Sequence, residues 1–241
     1  MKKNVIFFLV FSVFQLVNLS TCQLAFGAEL FNNPAAGKLE KWVYRSEDSP
    51  GKWTNITERS SYKKENGKTI LIIQSIPENK KYTTTMMLDS VTLKPILVRI
   101  ENETGVFFEA KYRANMAVIN LVSPLKTIKN KKLYVTNVTY DQRSLFWLLR
   151  GYPFNNPKEF EIDLVMPLGN RCSMKVRYLG EEEIKVPAGK FMAYKLEVEP
   201  NAVLPFFSEK LKIHFWYSKE KTPKFLKYNY PAKNVTVELI K

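Results

Sequence analysis

From Leu39 onward, apolar and polar residues alternate in short runs separated by Gly, Pro, Asn and Asp, the pattern of half-buried strands joined by tight turns. The clearest stretch is Arg177 to Pro200. Val176, Tyr178, Ile184 and Val186 supply an apolar set on one side of its turn; on the other, Phe191, Ala193, Lys195 and Glu197 alternate with Met192, Tyr194, Leu196 and Val198. Pro187 presets φ and Gly189 tolerates a positive φ, so a hairpin is predicted there. Asn66-Gly67 predicts another, between Trp53–Lys64 and Lys68–Ile76, because that dipeptide supplies the positive φ values a tight hairpin needs. Further strands are predicted over Leu39–Arg45, Lys81–Leu88, Thr92–Glu101, Val106–Arg113, Met116–Val122, Phe160–Met166, Cys172–Leu179, Lys210–Tyr217, Lys224–Tyr230 and Val235–Ile240. Pro95, which cannot donate to a ladder, predicts an edge strand or a bulge.

One segment breaks this rhythm. Asp141 can cap free amides, Leu145, Phe146, Leu148 and Leu149 form an apolar face, and Gly151 with Pro153 ends the run, so a short helix is predicted over 141–151. The fold class is all-β with one short helix: a curved antiparallel sheet or incomplete barrel, the helix covering an open end or face.

The N-terminus adds a compartment. Lys2 and Lys3 precede the apolar run Val5–Val17, the charged and hydrophobic regions of a secretory signal, too short for a comfortable membrane span. Ala25-Phe26-Gly27 places small residues for cleavage before Ala28, whereas Leu19-Ser20-Thr21-Cys22 resembles a lipobox. The favoured division is a signal peptide over 1–27 and a single exported β domain over 28–241. The expected location is periplasmic, or an outer-membrane lipoprotein if Cys22 is lipidated, with no transmembrane span in the mature chain. Cys172 then stands without a disulfide partner and is expected to be a buried, inert thiol.

Charge narrows the partners only a little. The chain carries 37 Lys and Arg against 23 Asp and Glu, a net charge of +14, which falls to +12 once Lys2 and Lys3 are removed. Such a surface favours anionic partners. The basic residues are scattered along strands rather than gathered on a recognition helix, so nucleic acid is not expected.

Catalytic chemistry is poorly supplied. His214, the only histidine, alternates with Ile213 and Phe215 and is expected on a solvated face. No Gly-x-Ser-x-Gly elbow accompanies it, and one His with one mature Cys cannot build a nitrogen/sulfur zinc site. Glu181, Glu182 and Glu183 are adjacent on a strand, so they face opposite sides and do not set an acid–nucleophile separation. No phosphate-binding or dinucleotide glycine run occurs. The expectation is no catalytic residue, no metal and no cofactor.

Three groups of residues carry a family resemblance: Tyr140-Asp141 with Ser144-Leu145 and Arg150; Gly180 to Phe191 with Tyr194-Lys195; and Phe215 to Ser218 with Pro223 and Lys227. Together they resemble an exported bacterial family catalogued as domain of unknown function 3108. The resemblance implies an envelope protein with an antiparallel β fold related to the curved half-barrels of lipoprotein carriers, and it brings no activity and no catalytic residues. The chain departs from the family pattern at Gln142-Arg143, where a Pro-containing pair is expected before the Ser.

The functional reading placed first is a non-enzymatic periplasmic module for a lipid or other hydrophobic ligand. Phe146 and Leu149 would line a cavity beneath the helix, and Phe206 and Phe207, in the apolar loop Pro200–Phe207, would serve docking or ligand entry. The alternative is an envelope scaffold that meets a protein or an anionic surface; a hydrolase is a distant third.

Overall fold

The computed structural model of the chain describes residues 31–124, 126–201 and 211–241. The expected cleavage sites, Cys22, Phe206 and Phe207 lie outside the described residues. The strands are β1 (Lys41–Ser49), β2 (Lys52–Glu65), β3 (Lys68–Pro77), β4 (Thr83–Asp89), β5 (Pro95–Asn102), β6 (Gly105–Arg113), β7 (Met116–Val122), β8 (Thr127–Tyr134), β9 (Thr139–Asp141), β10 (Phe160–Val165), β11 (Arg171–Val186), β12 (Gly189–Pro200), β13 (Ile213–Ser218), β14 (Phe225–Tyr230) and β15 (Val235–Leu239).

All fifteen belong to one sheet, ordered β8 through β1, then β15 down to β9. Two meanders, β1–β8 and β10–β15, are therefore stitched together where the first strand meets the last, with Tyr44 opposite Leu239. Every pairing is antiparallel except β9 on β10. Local turn chemistry accounts for the hairpins. Asn66 and Gly67 take φ of 49° and 74°, the backbone of a two-residue hairpin turn. Pro187 and Ala188 form the two-residue loop between β11 and β12, and Gly189, at φ 137°, opens the second strand.

The sheet curls until its β9 edge approaches the first meander. Tyr112 on β6 donates its hydroxyl to Asp141 Oδ2 on β9 at 2.7 Å, and Lys94, just before β5, bonds the carbonyl of Asn137. Arg171 Nη1 at the start of β11 donates to the β8 carbonyl of Tyr134 at 3.3 Å. These are side-chain links and not a ladder, so the barrel stays incomplete. Inside it, Ala117, Ile119 and Leu121 on β7 alternate inward, Phe108 and Ala110 on β6 lie beside them, and all five are essentially inaccessible. Each large side chain buried in this way contributes about 1.5–3 kcal/mol.

Of the two readings of Pro95 the bulge holds and the edge does not: β5 lies between β4 and β6, and Pro95 is its first residue, opposite Leu88 where the register slips. A first position with a bulge needs no amide donor, which is why proline is tolerated there. Strand β8 has no counterpart in the sequence pattern, because of its eight residues only Ile128 is buried and the rest are largely Lys, Asn and Thr. Lysines on an open edge strand discourage pairing with other chains. Strand β9 is too short, at three residues, to show any periodicity.

The segment Phe31–Lys38 straps one end of the barrel. Phe31 packs edge-on against Tyr140 and beside Phe160, Asn33 N–H bonds Val91 O at 2.8 Å, and Tyr62 donates its hydroxyl to Ala35 O at 2.9 Å.

Candidate functional site

The expected helix forms as a composite: a 3-10 turn over Gln142–Ser144, a single α-helical turn α1 (Leu145–Leu148), and a second 3-10 turn over Leu149–Gly151. Asp141 starts it. Its backbone is extended, its Oδ1 accepts from Arg143 N–H at 2.9 Å, and Ser144 Oγ donates back to the Asp141 carbonyl at 2.8 Å. Leu145, Trp147, Leu148 and Leu149 are buried. At the far end Arg150 makes a bidentate ion pair with Glu40, at 2.7 and 2.9 Å, and donates from Nε to Pro223 O at 2.8 Å. Gly151 is required by close approach, since a Cβ there would meet the Asn32 carbonyl oxygen at 2.3 Å.

Several family-resembling residues are thus structural. Asp141, Ser144 and Arg150 fix the helical segment, and Pro223 supplies the carbonyl that Arg150 reads.

Between α1 and the concave side of the sheet lies a cavity of about 270 Å³. Strands from both meanders wall it: Tyr44, Ile56, Met86 and Ile100 from the first, and Leu164, Met174, Phe215, Phe225, Tyr228 and Val237 from the second. Phe146 projects into this wall and is held by rings of Phe225, Tyr228 and Phe215 at centroid distances of 4.6, 5.3 and 5.7 Å. Its carbonyl accepts from the buried Tyr217 hydroxyl at 3.0 Å.

The polar groups of the wall are few. Glu58 on β2 is 9% exposed and accepts from Trp147 Nε1 at 3.1 Å. Burial pushes its carboxyl up to about 7, against the opposing pull of the Trp147 bond, the Arg150 charge and a Ser75 bond. Gln142 and Arg143 line the opening of the helical segment. The Arg143 guanidinium sits 3.7 Å over the Phe108 ring, and burial lowers its pKa. Its Nη1 stands 3.5 Å from Asp141 Oδ1, an ion pair without a hydrogen bond. Gln142 Oε1 is likewise buried without a hydrogen-bond partner.

Of the residues singled out from sequence, Phe146 lines this cavity, while Leu149 is fully buried in the packed core and is not among the lining residues. Phe206 and Phe207 lie outside the described residues. His214 is not on an open face: its ring is within 3.4 Å of Glu197, and burial together with Lys195 and Lys212 lowers its pKa against the pull of Glu197. Arg177 and Lys212 pair with the same Glu197, each at 3.5 Å. Glu181, Glu182 and Glu183 are paired with Lys219, Lys195 and Lys190, and Glu182 also accepts from Trp216 Nε1. Cys172 is half-buried, and burial raises its thiol to about 11. Among the described residues no three His, Cys, Asp or Glu side chains gather as a metal site, and no helix is long and apolar enough to cross a membrane.

Sequence reasoning missed Glu58, Gln142 and Arg143 as cavity residues. For Gln142-Arg143 a signal existed in their departure from the family pattern. For Glu58 none did, because Thr57-Glu58-Arg59-Ser60 is polar on both faces of its strand.

Two solved structures superpose on the chain at low similarity. A beta-barrel-like protein of domain of unknown function DUF1849 from Brucella abortus superposes with a TM-score of 0.47 at 9% identity, over 83% of this chain and 94% of that one. A protein with YmcC-like fold from Bacteroides fragilis NCTC 9343 gives 0.36 at 10% identity, over 88% and 98%. No curated protein matches the chain in sequence. The family model described as protein of unknown function (DUF3108) matches residues 50–240, which takes in all but the first of the fifteen strands and the whole helical segment, and the chain belongs to that family.

Proposed function

We propose that the protein is a non-enzymatic binding module of the cell envelope that holds a hydrophobic ligand, a lipid chain or a molecule of similar size, in the cavity beneath α1. The observation that supports this reading is the cavity itself: apolar and aromatic side chains from nine strands converge on one partly open space, with few polar groups among them. Its volume of about 270 Å³ is close to the lower bound of ligand pockets, roughly 300 Å³, which favours a single chain over a multi-chain lipid. Phe146 is the aromatic contact we assign to the ligand. Export is inferred from the Lys2-Lys3 and Val5–Val17 signal pattern, with maturation before Ala28.

Uptake of the uncharged fluorophore N-phenylnaphthylamine tests the cavity. The wild-type protein should enhance its emission saturably, and Val237→Phe, which fills the space from β15, should weaken uptake at least about tenfold while near-UV circular dichroism stays native. Saturable uptake that is unchanged in Val237→Phe would place the probe elsewhere and end this reading. Intact-mass measurement of the exported protein checks maturation, and a diacylglyceryl group on Cys22 would overturn the Ala28 start.

A further inference from the structure

The apolar wall of the cavity does not account for its two orphaned polar atoms. Gln142 Oε1 and Arg143 Nη1 are buried, lack hydrogen-bond partners, and belong to adjacent residues that both line the cavity. Buried polar atoms are almost always satisfied, and each one left bare is costly, so two on adjacent residues lining one apolar cavity ask for a partner. One is an acceptor and the other a donor.

Charge selects the kind of partner. Among the described residues Arg143 is the only cationic side chain in the wall, and its charge is already answered by Asp141 at 3.5 Å. Asp141 is further held by the Tyr112 hydroxyl at 2.7 Å and the Arg143 amide at 2.9 Å, so it does not swing away to release the guanidinium. The other titratable carboxyl in the wall is Glu58, which adds negative charge or none. A full anion entering this space would therefore gain no uncompensated cation, and would carry its own desolvation cost. An uncharged group that both accepts and donates would satisfy both atoms.

Resting on the cavity reading above, we propose that Gln142 and Arg143 form a head-recognition end that takes a hydroxyl or carboxamide at the end of a single apolar chain. Arg143 Nη1 donates to the head's oxygen, and Gln142 Oε1 accepts its proton. The cation–π contact with Phe108 holds the guanidinium in place while it does so.

Competition against bound N-phenylnaphthylamine separates this proposal from the reading it rests on. Dodecanol and dodecanamide should displace the probe at about tenfold lower concentration than dodecyl methyl ether, which accepts but cannot donate and so leaves Gln142 Oε1 bare. In Gln142→Leu the alcohol should fall to the level of the ether; in Arg143→Met both should weaken. If dodecane, ether and alcohol compete equally in the wild type, water satisfies the two atoms and the proposal falls while the cavity reading stands. If dodecanoate is the tightest competitor, the site takes an anion and the proposal is wrong. If no dodecyl compound displaces the probe, the cavity reading falls with it.

Discussion

The helical segment between Asp141 and Gly151 carries an arginine near each end, and the fold treats the two differently. Arg150 is saturated. Two bonds to Glu40, one to Pro223 O and a face-on approach to Trp147, 4.8 Å from the ring centroid, tie together the residue leading into β1, the helix and the β13–β14 loop. Arg143 is also largely buried, yet its Nη1 has only a long ion pair, and it lines the cavity next in sequence to Gln142, whose side-chain oxygen is equally bare. The same residue type on one short element is a structural pin at one end and an open valence at the other. Burial alone does not separate them; completeness of hydrogen bonding does.

That contrast predicts the largest effect at Arg150. Arg150→Met leaves the Glu40 carboxylate in a protein-lined site without its counter-charge, and breaking a buried pair in this way costs about 3–5 kcal/mol. Equilibrium urea unfolding measures it, and a loss below about 1 kcal/mol would mean that the pin is dispensable.

Glu58 lies between the two ends and reports on both. Its folded-state carboxyl sits at about 7, above the ordinary 4.5, so the folded protein keeps a proton that the unfolded chain releases. The stabilisation is therefore fully present below about pH 4.5 and is lost as pH rises through about 7, an effect on the order of 3 kcal/mol. Stability measured across that window should fall with rising pH in the wild type, and the fall should be absent in Glu58→Gln. Because the Arg150 charge pulls the Glu58 carboxyl downward, Arg150→Met should also displace the window to higher pH. A wild-type profile as flat as that of Glu58→Gln would show that the carboxyl is solvated.

Much of this architecture was legible, and the illegible parts share a physical cause. Period-two alternation marked most of the strands because one face of each is buried and the other wet, and Asn66-Gly67 and Pro187 to Gly189 announced their hairpins through backbone requirements that few residues meet. Strand β8 escaped because lysines on an open edge leave almost no apolar period to detect. Pro95 left the choice between edge and bulge open because a first-strand position at a bulge and an edge position impose the same local demand on a proline. Asp141 and Gly151 correctly bounded the helix, but Gly151 is there for the Asn32 carbonyl, a contact more than a hundred residues distant in sequence and invisible to local rules. The cavity is the extreme case. It is assembled from inward positions of two meanders whose register around the barrel is a property of closure, and Phe146 and Leu149, alike in the pattern, part company only when the helix is docked.

The smallest effect, and the sharpest test of the comparison, is at Gln142. If its side-chain oxygen is an unfilled valence, it destabilises the empty protein, because a buried acceptor has given up water and received nothing in return. Gln142→Leu keeps similar bulk on the 3-10 turn and removes that acceptor, while the Asp141 cap and the Ser144 bond that start the helix use neither of its side-chain atoms. The variant should therefore unfold at an equal or higher urea concentration than the wild type, with a gain of up to about 1 kcal/mol, opposite in sign to Arg150→Met on the same element. The gain should vanish when both proteins are unfolded in saturating dodecanol, since the wild-type residue then has its partner and the leucine does not. A loss of more than about 1 kcal/mol in the empty protein would show that Gln142 is a structural residue like Arg150, and the distinction between the two ends of the helix would collapse.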